Sequence, residues 1–218
     1  ATNSSATVSA INIFYNNSAF DGDQGASAND DLAIATNKSA LENGTANFAN
    51  YTSYDKGING IIIDIANIVG TPQLSDFTFK IGNSNNPAEW TNAPNPSVIA
   101  TRDIGAGKTR ITLIWTDNNI KNTWLQVTVK AGGNIGLSTA KVFYFGNAPA
   151  ECGNKIDGDG KNAMVNAADM LSARANFANP VTDIENQYDY NRDGKVDADD
   201  ISAAISAPSS PLTMLNLI

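Results

Sequence analysis

Histidine is absent from this 218-residue chain, and cysteine occurs once. Without His there is no Ser-His-Asp or Cys-His catalytic arrangement. Zinc sites built on His or on several Cys are excluded as well. One Cys cannot form an internal disulfide, so the compartment has to be read from other features. Charge is also scarce: 17% of residues, 22 acidic against 14 basic, for a net of -8. That balance argues against nucleic acid and against anionic membrane surfaces as partners. It suits hard cations such as calcium, which bind through oxygen. No apolar run approaches the roughly 18 residues of a membrane span. The first residues, Ala1 to Ala6, have neither the basic start nor the apolar stretch of a signal peptide, so a secreted protein would carry them as its mature form. In place of charge the chain has 29 Asn and 30 Ala. Asn, Ser, Thr and Gly favour turns and strand edges. A surface solvated by amides and hydroxyls is common in extracellular bacterial proteins, and an extracellular or cell-surface location is the expectation.

Residues 1–150 read as a mainly β domain, a β-sandwich or jelly roll. Seven segments rich in β-branched and aromatic residues are separated by turn-forming gaps: 8–15, 60–65, 77–81, 97–101, 109–115, 124–130 and 141–145. In the sixth, Leu125, Val127 and Val129 share the face expected to meet the core, with Trp124, Gln126, Thr128 and Lys130 on the other. The run Ile61-Ile62-Ile63 is apolar on both faces and predicts a central, covered strand. An Asn/Asp start and Ala-rich filling predict one or two helical turns between Asn29 and Leu41. Asp21, Asp23, Asp30 and Asp31 form an acidic cluster that either chelates a cation or, more ordinarily, solvates a loop and a helix start. Trp90, Trp115 and Trp124, with Tyr51 and Tyr54, are either core or a sugar-stacking platform, core being the usual fate of Trp in a sandwich. No carboxylate dyad of the glycosidase kind stands out, so the expectation is a protein that is not an enzyme.

From Glu151 onward the composition changes: these 68 residues hold 11 of the acids and 5 of the bases, a net of -6. Residues 189–200, Asp-Tyr-Asn-Arg-Asp-Gly-Lys-Val-Asp-Ala-Asp-Asp, fit the twelve-residue calcium-loop template with Asp at the last position. Oxygens at positions 1, 3 and 5 converge on the ion, Gly at 6 allows the sharp turn, a carbonyl comes from 7, and an acid at 12 closes the shell. The expected ligands are Asp189, Asn191, Asp193, the Lys195 carbonyl and Asp200, with Asp197 acting through water. Val196 should enter a small core. Before this loop the chain has Pro180 and no helical period. After it, a helix is expected from Ala198 to about Ala207 with Ile201 and Ile205 on one face.

This loop-helix unit resembles a dockerin repeat, and an earlier copy is visible. Val165-Asn166-Ala167-Ala168-Asp169 parallels Val196-Asp197-Ala198-Asp199-Asp200, with a helix following through Met170 and Leu171 to about Asn176. Counting back from Asp169 puts Gly158 and Gly160 at positions 1 and 3, where neither side chain can ligate. A register slipped by one uses Asp157 and Asp159 instead, with Asn162 and the Met164 carbonyl in the middle. Residues 151–207 thus resemble a dockerin-type module. The resemblance implies two calcium ions and docking onto a cohesin, itself a β-sandwich. The segments 13–22, 50–54 and 143–148 are similar to an uncharacterised region that precedes dockerin-like repeats in large secreted bacterial proteins. This implies compartment and architecture rather than activity. Two bound calcium ions would bring the formal charge of -8 to -4.

Residues 208–218 end the chain with Pro208-Ser209-Ser210-Pro211 and a mostly apolar stretch containing Leu212, Met214, Leu215, Leu217 and Ile218. Such a strand left in water invites aggregation. It pairs either within its own chain or with a neighbour's sheet edge, and the second arrangement, head to tail, builds filaments. The reading that combines these features is an extracellular, calcium-stabilised structural protein, assembling with copies of itself into a surface layer or filament. The alternative is a cell-surface module that binds a cohesin-like β domain or a glycan. Cys152 falls at the join of the two regions, as an incidental residue or a thiol open to cross-linking.

Overall fold

A computed structural model describes residues 5–22, 25–154, 160–180 and 183–218. Eleven strands are described: β1 (Thr7–Ile13), β2 (Tyr51–Thr52), β3 (Gly60–Ala66), β4 (Phe77–Gly82), β5 (Thr91–Asn92), β6 (Val98–Asp103), β7 (Lys108–Ile114), β8 (Trp124–Val129), β9 (Lys141–Asn147), β10 (Asn162–Ala163) and β11 (Leu215–Asn216). Helices α1 (Ala167–Ala175) and α2 (Ala198–Ser206) lie between the last two strands. The protein is mainly β, and each of the seven expected segments contains a strand.

An antiparallel sheet in the order β1-β3-β7-β6 faces a second sheet in the order β2-β9-β8-β4-β5, parallel only between β2 and β9. The core between them takes Ile61, Ile63 and Ile65 from β3, Ile111 and Leu113 from β7, and Phe77, Phe79, Leu125, Val127, Val129, Phe143 and Phe145 from the other sheet. Alternation along β3 and β8 produces this, since every second side chain faces inward. Ile62 points the other way and is also buried, against Phe14, Ala33 and Ile114. The triple-Ile strand is therefore central and covered on both faces.

The helix expected over 29–41 is a five-residue 3-10 helix, Asn29–Ala33. Beyond it the chain pairs with the end of β1: Tyr15 N donates to Ala33 O at 3.0 Å and Ala35 N to Ile13 O at 3.0 Å. Those strand-like bonds compete with and end the helix. The acidic cluster is spent on structure. Asp21 accepts from Asn17 N and Ser18 N, and Asp31 is gripped by Arg102 and Arg110 at 2.6 Å each. Burial works against the Asp31 charge, but the two guanidiniums hold its carboxyl below the usual range. Asp23 lies outside the described residues.

Burial decides between the two fates of these aromatic residues in favour of the core. Trp90, Trp115, Trp124, Tyr51 and Tyr54 all lie at 6% exposure or less, so none offers a face for stacking a sugar. Gly82 makes room for Trp90, because a Cβ there would come within 2.3 Å of its ring.

Trp124 belongs to a second core on the outer face of the five-stranded sheet, with Leu41, Ala46, Tyr51, Trp90, Ala148, Ala163 and Leu215. The C-terminal segment covers this face. Its strand is two residues rather than seven. β11 pairs antiparallel with β10 inside the same chain, Asn162 opposite Asn216 and Ala163 opposite Leu215. Side-chain amides replace much of the missing ladder. Asn83 Nδ2 donates to Met214 O at 2.8 Å, Asn216 N to Asn83 Oδ1 at 2.8 Å, and Trp124 Nε1 to Asn216 O at 2.7 Å. Leu217 N donates to Lys161 O at 2.7 Å, and Ala46 N to Ile218 O at 2.8 Å. Leu215 is fully buried, whereas Leu212 is 93% exposed in the preceding turn. Of the two pairings open to this segment, the structure has the one within the chain.

Candidate metal centre

The two helices pack together over a small core of Ala150, Cys152, Val165, Ala173, Tyr190, Val196 and Ala204. Asn166 caps α1 by accepting from Ala168 N at 2.7 Å, and Asp197 caps α2 by accepting from Asp199 N at 2.9 Å. Each helix also has an Asp at its third position whose carboxylate returns to the cap backbone, Asp169 to Asn166 N and Asp200 to Asp197 N. This reciprocal arrangement satisfies donors that a helix start leaves open. Val196 is fully buried, as its place in the loop predicts, and exchanges backbone bonds with Ala178 at 2.8 and 3.1 Å. Val165 meets Ser209 in the same way, its O accepting from Ser209 N at 2.9 Å and its N donating to Ser209 Oγ at 3.0 Å. Ala178 and Ser209 each lie three residues past a helix end, so the two halves are structural copies.

In the second copy the loop folds its N–H groups onto acidic oxygens. Asp189 Oδ1 accepts from Asp193 N at 3.2 Å and Oδ2 from Gly194 N at 3.1 Å. Asn191 Oδ1 accepts from Asp193 N at 3.0 Å, and Asp193 Oδ1 from Lys195 N at 2.9 Å. Asp200 Oδ1 accepts from Tyr190 N at 2.6 Å. Gly194, at φ 84°, makes the turn that a side chain would strain. Asp189 and Asp200 are fully buried. Among the described residues, no Lys or Arg ion-pairs with either within 4.0 Å. Burial pushes the Asp189 carboxyl up to about 6; the nearby Arg192 opposes the rise, and the charges of Asp200 and Asp193 add to it. Burial raises Asp200 too, against the backbone N–H groups it accepts from. Two buried carboxylates that disfavour each other's charge are what a hard divalent cation relieves, and the all-oxygen donor set matches one. Asp193 is exposed, and the carboxylates of Asp189, Asp193 and Asp200 do not gather within 4.8 Å.

The first copy has a counterpart that counting along the sequence misses. Asp169 Oδ1 accepts from Cys152 N at 3.0 Å, as Asp200 Oδ1 accepts from Tyr190 N. That makes Glu151 the equivalent of Asp189. Glu151 is fully buried, accepting from Gly153 N at 2.7 Å and from the Tyr51 hydroxyl. Ligand atoms of Glu151, Cys152 and Asp169 lie within 4.8 Å of one another. Eighteen positions separate Glu151 from Asp169, against eleven between Asp189 and Asp200. Counting back eleven from Asp169 therefore lands on Gly158. The available signal was the parallel of Glu151-Cys152 with Asp189-Tyr190, an acid followed by a residue that enters the small core. Of the residues expected to ligate here, Asp157 and Asp159 lie outside the described residues. The backbone of Asn162 is committed to β10, and the Met164 carbonyl accepts from Asn166 Nδ2 at 3.4 Å. Cys152 is buried, and burial, with the charge of Asp169 beside it, pushes its thiol up to about 12.

Both copies are fastened to the sandwich. Ala148 N and Ala150 N donate to Thr52 O and Ser53 O at 3.0 and 2.9 Å. Asp55 N donates to Tyr190 O at 2.9 Å and Ala19 N to Arg192 O at 2.9 Å. Comparison with protein-family models, with curated proteins and with solved structures finds no match for this chain.

Proposed function

We propose that this protein is an extracellular structural protein in which calcium, held by two loops of a dockerin-like module, fixes the module against a β-sandwich, and which assembles with copies of itself. The observation that carries the calcium reading is the pair Asp189 and Asp200, both fully buried and without an ion-paired cationic side chain among the described residues. A structural ion at such a site stabilises the native state, because it binds the folded loop and not the unfolded chain. The burial of Leu215 moves the self-association reading away from strand addition, since that strand is already paired. Support for a partner comes from Leu171, Phe177 and Ile205, large apolar side chains that the helical module leaves more than half exposed. The same three residues suit docking onto another protein's β domain, the cohesin-like alternative.

Thermal unfolding and light scattering in millimolar calcium and in chelator test the two halves of this reading. A melting midpoint that rises with calcium, and a mass above that of the 22.9 kDa monomer, are expected. An unchanged midpoint rejects the structural ion. A monomer under both conditions rejects self-assembly.

A further inference from the structure

The second loop sends one of its own side chains into the sandwich. Arg192 is its fourth residue, held at φ 54°. Its side chain is 2% exposed. The guanidinium lies 4.5 Å from the centre of the Tyr15 ring. Nη2 donates to Ser53 Oγ at 3.0 Å and to the Tyr15 hydroxyl at 3.3 Å, and Nη1 donates to Asn186 O. Tyr15 follows β1 and Ser53 follows β2, so one side chain touches the ends of both sheets. Nε has no partner among the described residues, and no carboxylate ion-pairs with the group within 4.0 Å. Burying a cation on such terms is expensive unless its surroundings hold it firmly. Its backbone is held as well, by Ala19 N at the carbonyl.

We infer that Arg192 is a coupling residue that makes the stability of the β-sandwich depend on ion occupancy at residues 189–200. This rests on the calcium reading above. An ion that fixes the loop fixes the backbone from which Arg192 projects. A loop without its ion holds the Arg192 backbone less firmly, and the Tyr15 and Ser53 contacts are loosened with it. The loop then acts as a structural fastening between two parts of the chain.

The chain carries its own reporter for this. Trp90, Trp115 and Trp124 all lie on the sandwich and none on the helical pair, so Trp fluorescence follows the sandwich with the tail seated on it, while ellipticity at 222 nm also reports the helices. In the wild type, calcium should raise the fluorescence-detected midpoint, and both signals should change together as in a two-state transition. In Arg192→Met, calcorimetric titration should still show calcium binding, with the fluorescence midpoint gaining less than half the wild-type rise. Arg192→Lys, which keeps the charge but not the fork, should fall between. Should Arg192→Met fail to fold, Arg192→Lys and the wild-type comparison of the two signals decide. Full calcium response of the sandwich in a variant that binds calcium overturns the coupling and leaves the calcium reading intact. Binding to the wild type with no shift in its fluorescence midpoint also overturns the coupling. An absence of binding to the wild type removes both.

Discussion

At the scale of single residues, the positions that matter most are buried polar groups, which hydropathy patterns do not reveal. Lys38 is one. It is 6% exposed, donates from Nζ to Phe48 O at 2.8 Å and sits 3.4 Å from the centre of the Phe48 ring. Burial, reinforced by repulsion from Arg192, lowers its amine to about 7. An unfolded Lys titrates near 10.4. Between those values the unfolded chain holds the extra proton, so this group makes stability climb as pH rises from about 7 towards 10. Urea denaturation at pH 7, 8 and 9 should show that climb in the wild type and a flatter profile in Lys38→Met. Parallel profiles would mean that Lys38 stays charged in the folded protein. Glu151 is a second such residue. Its role follows from what contacts it in space, and an enlarged loop separates it from Asp169, so spacing alone does not find it.

Elements were legible where side-chain alternation is strong and long enough to be seen. The strands of 6 or 7 residues from β3 to β9 follow from β-branched alternation, and α1 and α2 from their Asx caps. Two-residue strands such as β2 and β5 have no pattern of their own. They exist because the neighbouring backbone offers partners. The C-terminal segment belongs to this class. Its apolar character is plain in the sequence, but its seat is assembled from Trp124, Tyr51, Leu41 and Ala163, far apart in the chain. Leu215→Ala should therefore cost about 3 kcal/mol, the usual range for a buried Leu truncated in a core. Leu212→Ala, at 93% exposure, should stay within about 0.5 kcal/mol of wild type. Denaturant midpoints for the two variants check this. Equal effects would show that the segment does not hold Leu215 in solution as described.

For the whole molecule, the sandwich, the helical pair and the tail are interleaved rather than strung in order. The chain leaves β9, builds the paired loops and helices, and returns to cover the outer face of the five-stranded sheet. Cutting the chain after Ala207 should therefore harm the sandwich itself, exposing the Trp124 cluster and lowering its fluorescence-detected midpoint. Retention of the wild-type midpoint would show that the tail is dispensable. Within the acidic C-terminal region Glu151, Asp169, Asp189 and Asp200 are buried, and calcium is the proposed counterion. Calorimetric titration of the chelator-treated protein with calcium tests that claim most directly. Two ions per chain are predicted for the wild type, and one for Asp200→Asn, which disables the second loop and leaves Glu151 and Asp169 in place. No binding to the wild type at millimolar calcium, or an unchanged stoichiometry in the variant, would contradict it.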